Sequence, residues 1–246
     1  MTVRGYFVVG TDTEIGKTLI AACLLRSLTS VGLRTAGMKP VAAGAELRDG
    51  QWHNDDCDIL AAHASVTLPQ HLTTPYLFQQ PTAPHIAAAL EGRSIDLTEI
   101  LECFRQVAAL SDAVVVEGVG GFRVPLGRTL DTADLAQQLG LPVVLVVGVR
   151  LGCINHALLT AEAIAARGLT LAGWVANSVD PDMLNAAETV DAIAARIDGP
   201  LLGWVPRLRA AGTELTAAAL ERLDFSNLPP GFRPVSETHS SSAKEI

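Results

Sequence analysis

The chain has 246 residues, is 49% hydrophobic, and carries 26 acidic against 18 basic residues for a formal net charge of -8. That length suits one large α/β domain or two small ones, with enough apolar residues for a substantial core. The acidic balance and the lack of any Lys/Arg run argue against a nucleic-acid partner, which needs a basic face. No apolar stretch reaches the ~20 residues of a membrane span, so no membrane partner is expected.

Taken in order, Tyr6 to Val9 is a short apolar run that reads as a buried strand, too brief and too close to a glycine loop for a signal peptide. Residues 10–18 follow as Gly-Thr-Asp-Thr-Glu-Ile-Gly-Lys-Thr, and residues 19–31 have helical apolar spacing. Thr35 to Val41 is a second strand, ending around Lys39-Pro40; residues 42–55 are a Gly-, Asp- and Asn-rich active loop. A helix is expected over 58–64, an irregular proline-rich connection over 67–84, and helices over 85–91 and 97–110. Asp112 to Glu117 is a strand, Gly118 to Gly121 a turn, and 132–139 a helix capped by Asp131. Further strands are expected over 142–147, 171–176 and 201–205, with helices over 154–167, 182–197 and 213–223.

The alternation predicts an α/β fold, a P-loop NTPase-type parallel β-sheet flanked by helices on both faces. With no linker and no repeat, residues 1–235 read as a single domain and 236–246 as a disordered polar tail. Cys23, Cys57, Cys103 and Cys153 are scattered without metal-ligand spacing, which fits reduced thiols in a cytoplasmic protein.

The chemistry centres on residues 10–18, where strand, glycine-bounded loop, Gly-Lys-Thr and helix make a P-loop. Its backbone N–H groups and the helix N-terminus form an anion cradle, Lys17 reaches phosphate oxygens, and Thr18 places a hydroxyl on Mg²⁺. The spacing is unusual: five residues separate Gly10 from Gly16, and Thr11 stands where the common pattern has glycine. Ligands in such sheets bind at the carboxyl ends of strands, where Lys39, Glu117 and Asn177 lie. Glu117 is a candidate ligand for Mg²⁺, a hard cation that takes oxygens. Asp55, Asp56 and Asp58 add carboxylates, though such residues are also common in loops. Lys39 supplies a second cation, which suits phosphoryl transfer. Asn177 offers a donor and an acceptor to an adenine edge, or simply ends a strand in a turn.

These stretches resemble the dethiobiotin synthetase family. The resemblance is carried by residues 10–18, 35–42 (Thr-Ala-Gly-Met-Lys-Pro-Val-Ala), 81–85 (Pro-Thr-Ala-Pro-His) and 116–121 (Val-Glu-Gly-Val-Gly-Gly). Gly-Cys-Ile-Asn-His-Ala at 152–157 and Gly-Trp-Val-Ala-Asn at 173–177 continue it. The odd P-loop spacing is that family's own form. The resemblance implies ATP-dependent carboxylation and ring closure of 7,8-diaminononanoate with CO₂, through a carbamate and a carbamic-phosphoric anhydride, in biotin synthesis. It implies Lys39 and Lys17 as catalytic groups, and Thr18, Asp56 and Glu117 as holders of Mg²⁺. For ATP it implies Thr13, Glu14, Ile15, Gly16, Lys17, Thr18, Asp56, Glu117, Gly118, Val119 and Gly120. Asn177, Ser178, Pro206, Arg207 and Leu208 would surround adenine. Thr11, Lys39, Ala43, Leu151, Gly152, Cys153 and Asn155 would meet the diamine substrate, the 151–155 segment across a homodimer interface. One departure stands out: the family usually has Ser where this chain has Ala43, so one hydroxyl contact is absent.

Two alternatives share the fold. A partition or division-site ATPase switch of the deviant Walker type needs a signature lysine five residues before Lys17, where this chain has Asp12. A cobyrinate-type amide synthase usually carries a glutaminase domain, for which there is no room.

Overall fold

In the computed structural model, which describes residues 2–229 and 232–234, strand β1 (Thr2–Gly10) divides its side chains between two cores. Phe7 and Val9 enter one, Tyr6 and Val8 the other, as the two-residue period of a strand requires. The chain continues through α1 (Lys17–Ser30), β2 (Thr35–Met38), β3 (Val41–Ala43), β4 (Glu46–Arg48) and β5 (Gln51–His53). Next come α2 (Asp55–His63), α3 (Gln70–Thr73), β6 (Tyr76–Phe78), α4 (Pro84–Leu90), α5 (Leu97–Leu110), β7 (Ala113–Glu117) and α6 (Thr132–Leu139). The remainder is β8 (Val143–Val149), α7 (Cys153–Ala166), β9 (Leu171–Ser178), α8 (Ala186–Ala194), β10 (Leu201–Val205), α9 (Gly212–Leu220) and β11 (Phe232–Pro234).

The main sheet has the order β10-β9-β8-β1-β7-β2, all parallel, and β11 pairs antiparallel with Thr2 to Arg4 of β1. Helices α4 to α8 supply the core on the Phe7 face, and α1, α2 and α9 supply it on the Tyr6 face. This is the helix-flanked, mostly parallel sheet expected of a P-loop NTPase. Strands β7 and β8 are buried at every position, so they read as unbroken apolar runs. All four cysteines are buried free thiols. No helix among the described residues is long and apolar enough to cross a membrane.

Several expectations need correction. The strand expected over 35–41 splits at Lys39-Pro40, and its second half, β3, pairs with β6 in a separate two-stranded sheet. Proline has no N–H to continue the ladder. The expected loop over 42–55 contains the β4–β5 hairpin, and the irregular stretch over 67–84 contains α3 and β6. Helix α2 starts three residues earlier than expected, because Asn54 caps it and Asp55, Asp56 and Asp58 favour the positive end of its dipole. Helix α8 starts later than expected, after Asn185 at φ 54°, a left-handed conformation that helices do not propagate through. The expected tail over 236–246 lies outside the described residues.

Candidate active site

The P-loop leaves β1 at Gly10 and re-enters regular structure at Lys17, the first residue of α1. Between them Glu14 and Gly16 take positive φ, 57° and 90°, which curls the backbone around the helix N-terminus. Ile15 is buried in the core beneath the loop. Its carbonyl accepts a 2.8 Å hydrogen bond from Nδ2 of Asn177. Lys17 folds back to donate to the carbonyl of Asp12 at 2.7 Å. The Asp12 carboxylate accepts from the backbone N–H of Thr13 and from the guanidinium of Arg150.

Beside the loop, three strand ends and α2 bring four functional side chains together. Lys39, just past β2, donates to Glu117 Oε1 at 2.5 Å, to Asp56 Oδ2 at 2.8 Å and to the Gly118 carbonyl at 3.2 Å. The Thr18 hydroxyl lies 2.7 Å from Asp56 Oδ1 and 3.0 Å from Glu117 Oε1, with one proton to share. Burial brings the Lys17 ammonium down to about 8, aided by the like charge of Lys39 and opposed by Glu117, Asp56 and Asp12. Burial also disfavours charge on Lys39, but Glu117 and Asp56 outweigh it and hold Lys39 above the ordinary lysine value. Burial lifts Glu117 above the usual carboxylate range. On Asp56 the same penalty is overcome by Lys39 and Thr18, which hold it low.

These groups line a cleft of about 580 Å³, within the size range of small-molecule sites. Of the expected site residues, Thr13, Glu14, Gly16, Lys17, Thr18, Lys39, Ala43, Asp56, Glu117, Val119 and Gly120 line it. The others do not. Ile15 gives its side chain to the core, and Gly118 is buried, reaching the cluster through its carbonyl. Thr11 donates its N–H to the Val146 carbonyl at 3.0 Å. The Asn177 amide N–H holds the P-loop, and the Ser178 hydroxyl accepts from the Trp204 indole at 2.9 Å. Arg207 is exposed and donates to the Val179 carbonyl at 3.2 Å; Pro206 and Leu208 flank it. Leu151, Gly152 and Asn155 sit exposed at the start of α7, while the Cys153 side chain is buried and its N–H bonds the Arg150 carbonyl. Residues missed from the sequence also line the cleft, among them Asn54, Pro81, Thr82 and Val124. Asn54 had a signal, an Asn followed by two Asp before a helix, which is an N-cap pattern.

The donor set fits a divalent cation. Glu117 Oε2 is buried without a hydrogen-bond partner, and it points to an absent positive ligand. Thr18, Asp56 and Glu117 offer only oxygens, and no group of three or more His, Cys, Asp or Glu among the described residues forms a closed cage. Such a partial oxygen set matches Mg²⁺, which keeps waters and substrate phosphates in its shell.

A family profile described as an AAA domain matches residues 4–214. The chain is 58% identical over 227 residues to the ATP-dependent dethiobiotin synthetase BioD of Janthinobacterium sp. (strain Marseille), covering 91% of this chain and 95% of that protein. Among solved structures it is similar to a chain of the MinC:MinD cell division protein complex of Aquifex aeolicus, with TM-score 0.54 and 12% identity over 88% of this chain and 86% of the other. It is also similar to the ParA family ATPase from Chlorobium tepidum TLS, with TM-score 0.52 and 15% identity over 88% and 90% of the two chains. Those two likenesses speak to fold alone.

Proposed function

The chain belongs to the ATP-dependent dethiobiotin synthetase family, and on that premise we propose that it carboxylates 7,8-diaminononanoate and closes the ureido ring with ATP. One amine adds to CO₂ and loses a proton, giving a carbamate. A carbamate oxygen attacks the γ-phosphorus, ADP leaves, and a carbamic-phosphoric anhydride forms. The second amine attacks the carbonyl carbon and phosphate departs as the ring closes.

The observation that carries this reading is the meeting of Lys17 and Lys39 with Thr18, Asp56 and Glu117 in one cleft. Phosphoryl transfer asks a protein mainly for positioning and charge neutralisation. Lys39 is placed to meet the carbamate and the transferred phosphoryl group, and Lys17 the phosphates over the P-loop. Thr18, Asp56 and Glu117 would hold Mg²⁺, which when bound neutralises phosphate charge. Thr13, Glu14, Gly16, Gly118, Val119 and Gly120 would surround the phosphates. Asn177, Ser178 and residues 206–208 would border adenine, Asn177 through its remaining carbonyl oxygen. Ala43 presents no hydroxyl, so its backbone serves the diamine.

We further propose a cytoplasmic homodimer, consistent with the free thiols. Leu151 is 93% exposed at the N-terminus of α7, where free N–H groups suit the substrate carboxylate bound in a partner's cleft. At the position of a switch ATPase's signature lysine, Asp12 is instead engaged by Arg150. The test is ADP release with diaminononanoate and bicarbonate each omitted in turn. Release should require both; equal release without the diamine would refute the assignment.

A further inference from the structure

Asn54 lines the cleft between two functional segments. It is the N-cap of α2: its Oδ1 accepts from the Cys57 N–H at 3.4 Å, and its Nδ2 donates to the Ala43 carbonyl at 3.1 Å. Capping needs only the acceptor, which Ser or Asp supplies equally well. The donated bond is a second, separate task that neither of those residues can perform.

Ala43 ends β3 and faces the cleft. Between Ala43 and Asn54 the chain leaves as the β4–β5 hairpin, exposed at nearly every position. Its outer restraints are exposed ion pairs from Arg48 to Glu46, Asp55 and Asp58, which are worth little in water. The Asn54 amide closes the neck of this excursion at a half-buried site. Two residues beyond lies Asp56, in the first turn of α2, holding Lys39 and Thr18.

We infer that Asn54 is a positioning residue: its bond to Ala43 sets the first turn of α2 against the end of β3, and so fixes Asp56 relative to the diamine side of the cleft. The inference rests on the reading of Asp56 as a cation ligand and adds what holds that ligand in place.

The experiment compares wild type with Asn54→Ser and Asn54→Ala, with Asp56→Asn as a control. Mn²⁺ affinity in the presence of ATP is read by electron paramagnetic resonance, alongside melting temperature and the KM for the diamine. Asn54→Ser keeps the cap and should melt with wild type. Its Mn²⁺ dissociation constant and diamine KM should each rise about fivefold, the loss of one net hydrogen bond, while metal-free ATP binding stays unchanged. Asn54→Ala should show the same losses and also melt lower. Wild-type Mn²⁺ affinity and KM in Asn54→Ser would overturn the inference and leave Asn54 a helix cap. Wild-type Mn²⁺ affinity in Asp56→Asn would overturn the cation-ligand reading beneath it, a distinguishable failure.

Discussion

A Cβ on Gly16 would lie 2.3 Å from Nδ2 of Asn177, closer than any real carbon contact. Gly16 also sits at φ 90°, where L side chains are strained. Conformation and space therefore demand glycine independently. Gly16→Ala should lose ATP binding measured by calorimetry, and adding Asn177→Ala should not restore it. The second change clears the clash but leaves the positive φ and removes the donor to the Ile15 carbonyl. Recovery in the double variant would mean that the clash alone matters.

Lys39→Ala should lower kcat about 10²-fold or more, by analogy with loss of one oxyanion donor, with ATP affinity little changed. It should also destabilise the metal-free protein, because the Glu117 side chain is 0% exposed and loses its ammonium partner. Breaking a buried pair costs about 3–5 kcal/mol. Burial has already raised Glu117, so its neutral form is favoured in the fold. A raised carboxylate gives stability that is present at low pH and lost as pH rises. The deficit against wild type should therefore shrink toward acid pH in urea denaturation. A pH-independent deficit would show that Glu117 stays charged in the variant.

Glu117→Gln should weaken Mg²⁺ dependence, since the orphaned Oε2 becomes a neutral amide with no affinity for a cation. The Mg²⁺ concentration giving half-maximal ADP release should rise at least about tenfold, the scale for losing a charge-assisted interaction. An unchanged titration would remove Glu117 from the ligand set.

Alkaline stability should reflect two thiols. Burial pushes Cys23 from 9.0 to about 12 and Cys57 to about 11. Above about pH 9 the unfolded chain releases protons that the native state keeps, so stability falls as pH rises toward those folded values. Cys23→Ala should flatten the decline of melting temperature between about pH 9 and 11. An identical slope would assign the decline to other groups.

Sharing of the site across a dimer is testable by mixing two inactive proteins. One is Lys39→Ala, the other carries bulky acidic residues in place of Gly152 and Asn155. In a mixed dimer one cleft inherits both defects and the other neither. With random exchange about half the dimers are mixed, and activity should return to about a quarter of wild type, as two-fold symmetry requires. No recovery with mixed dimers confirmed by mass would place each site within one chain.

The parallel sheet is legible because its strands are continuous apolar runs, as in Val114-Val115-Val116 and Val143 to Val147, each ending in a polar or glycine signal. The P-loop and the strand-end residues Lys39 and Glu117 follow directly from that frame. Strands β3 to β6 and β11 are three residues each, too short to show a period. The joining of Asn54 to Ala43, or of Asp12 to Arg150, depends on tertiary placement that no local pattern records. Asn177 shows the limit from the other side: a polar strand end is visible in sequence, but its engagement with the Ile15 carbonyl is not.

The central place of β1 has a consequence for synthesis. It is the first strand to leave the ribosome, yet its partners β7 and β8 begin at residues 113 and 143. Until then its apolar backbone edges face solvent or a chaperone. Sheets closed by such distant pairings fold slowly, and an unpaired apolar strand is a nucleus for aggregation. A nascent chain stalled before residue 113 should be protease-sensitive throughout, with resistance appearing in one step once β8 has emerged and β1 is flanked on both sides.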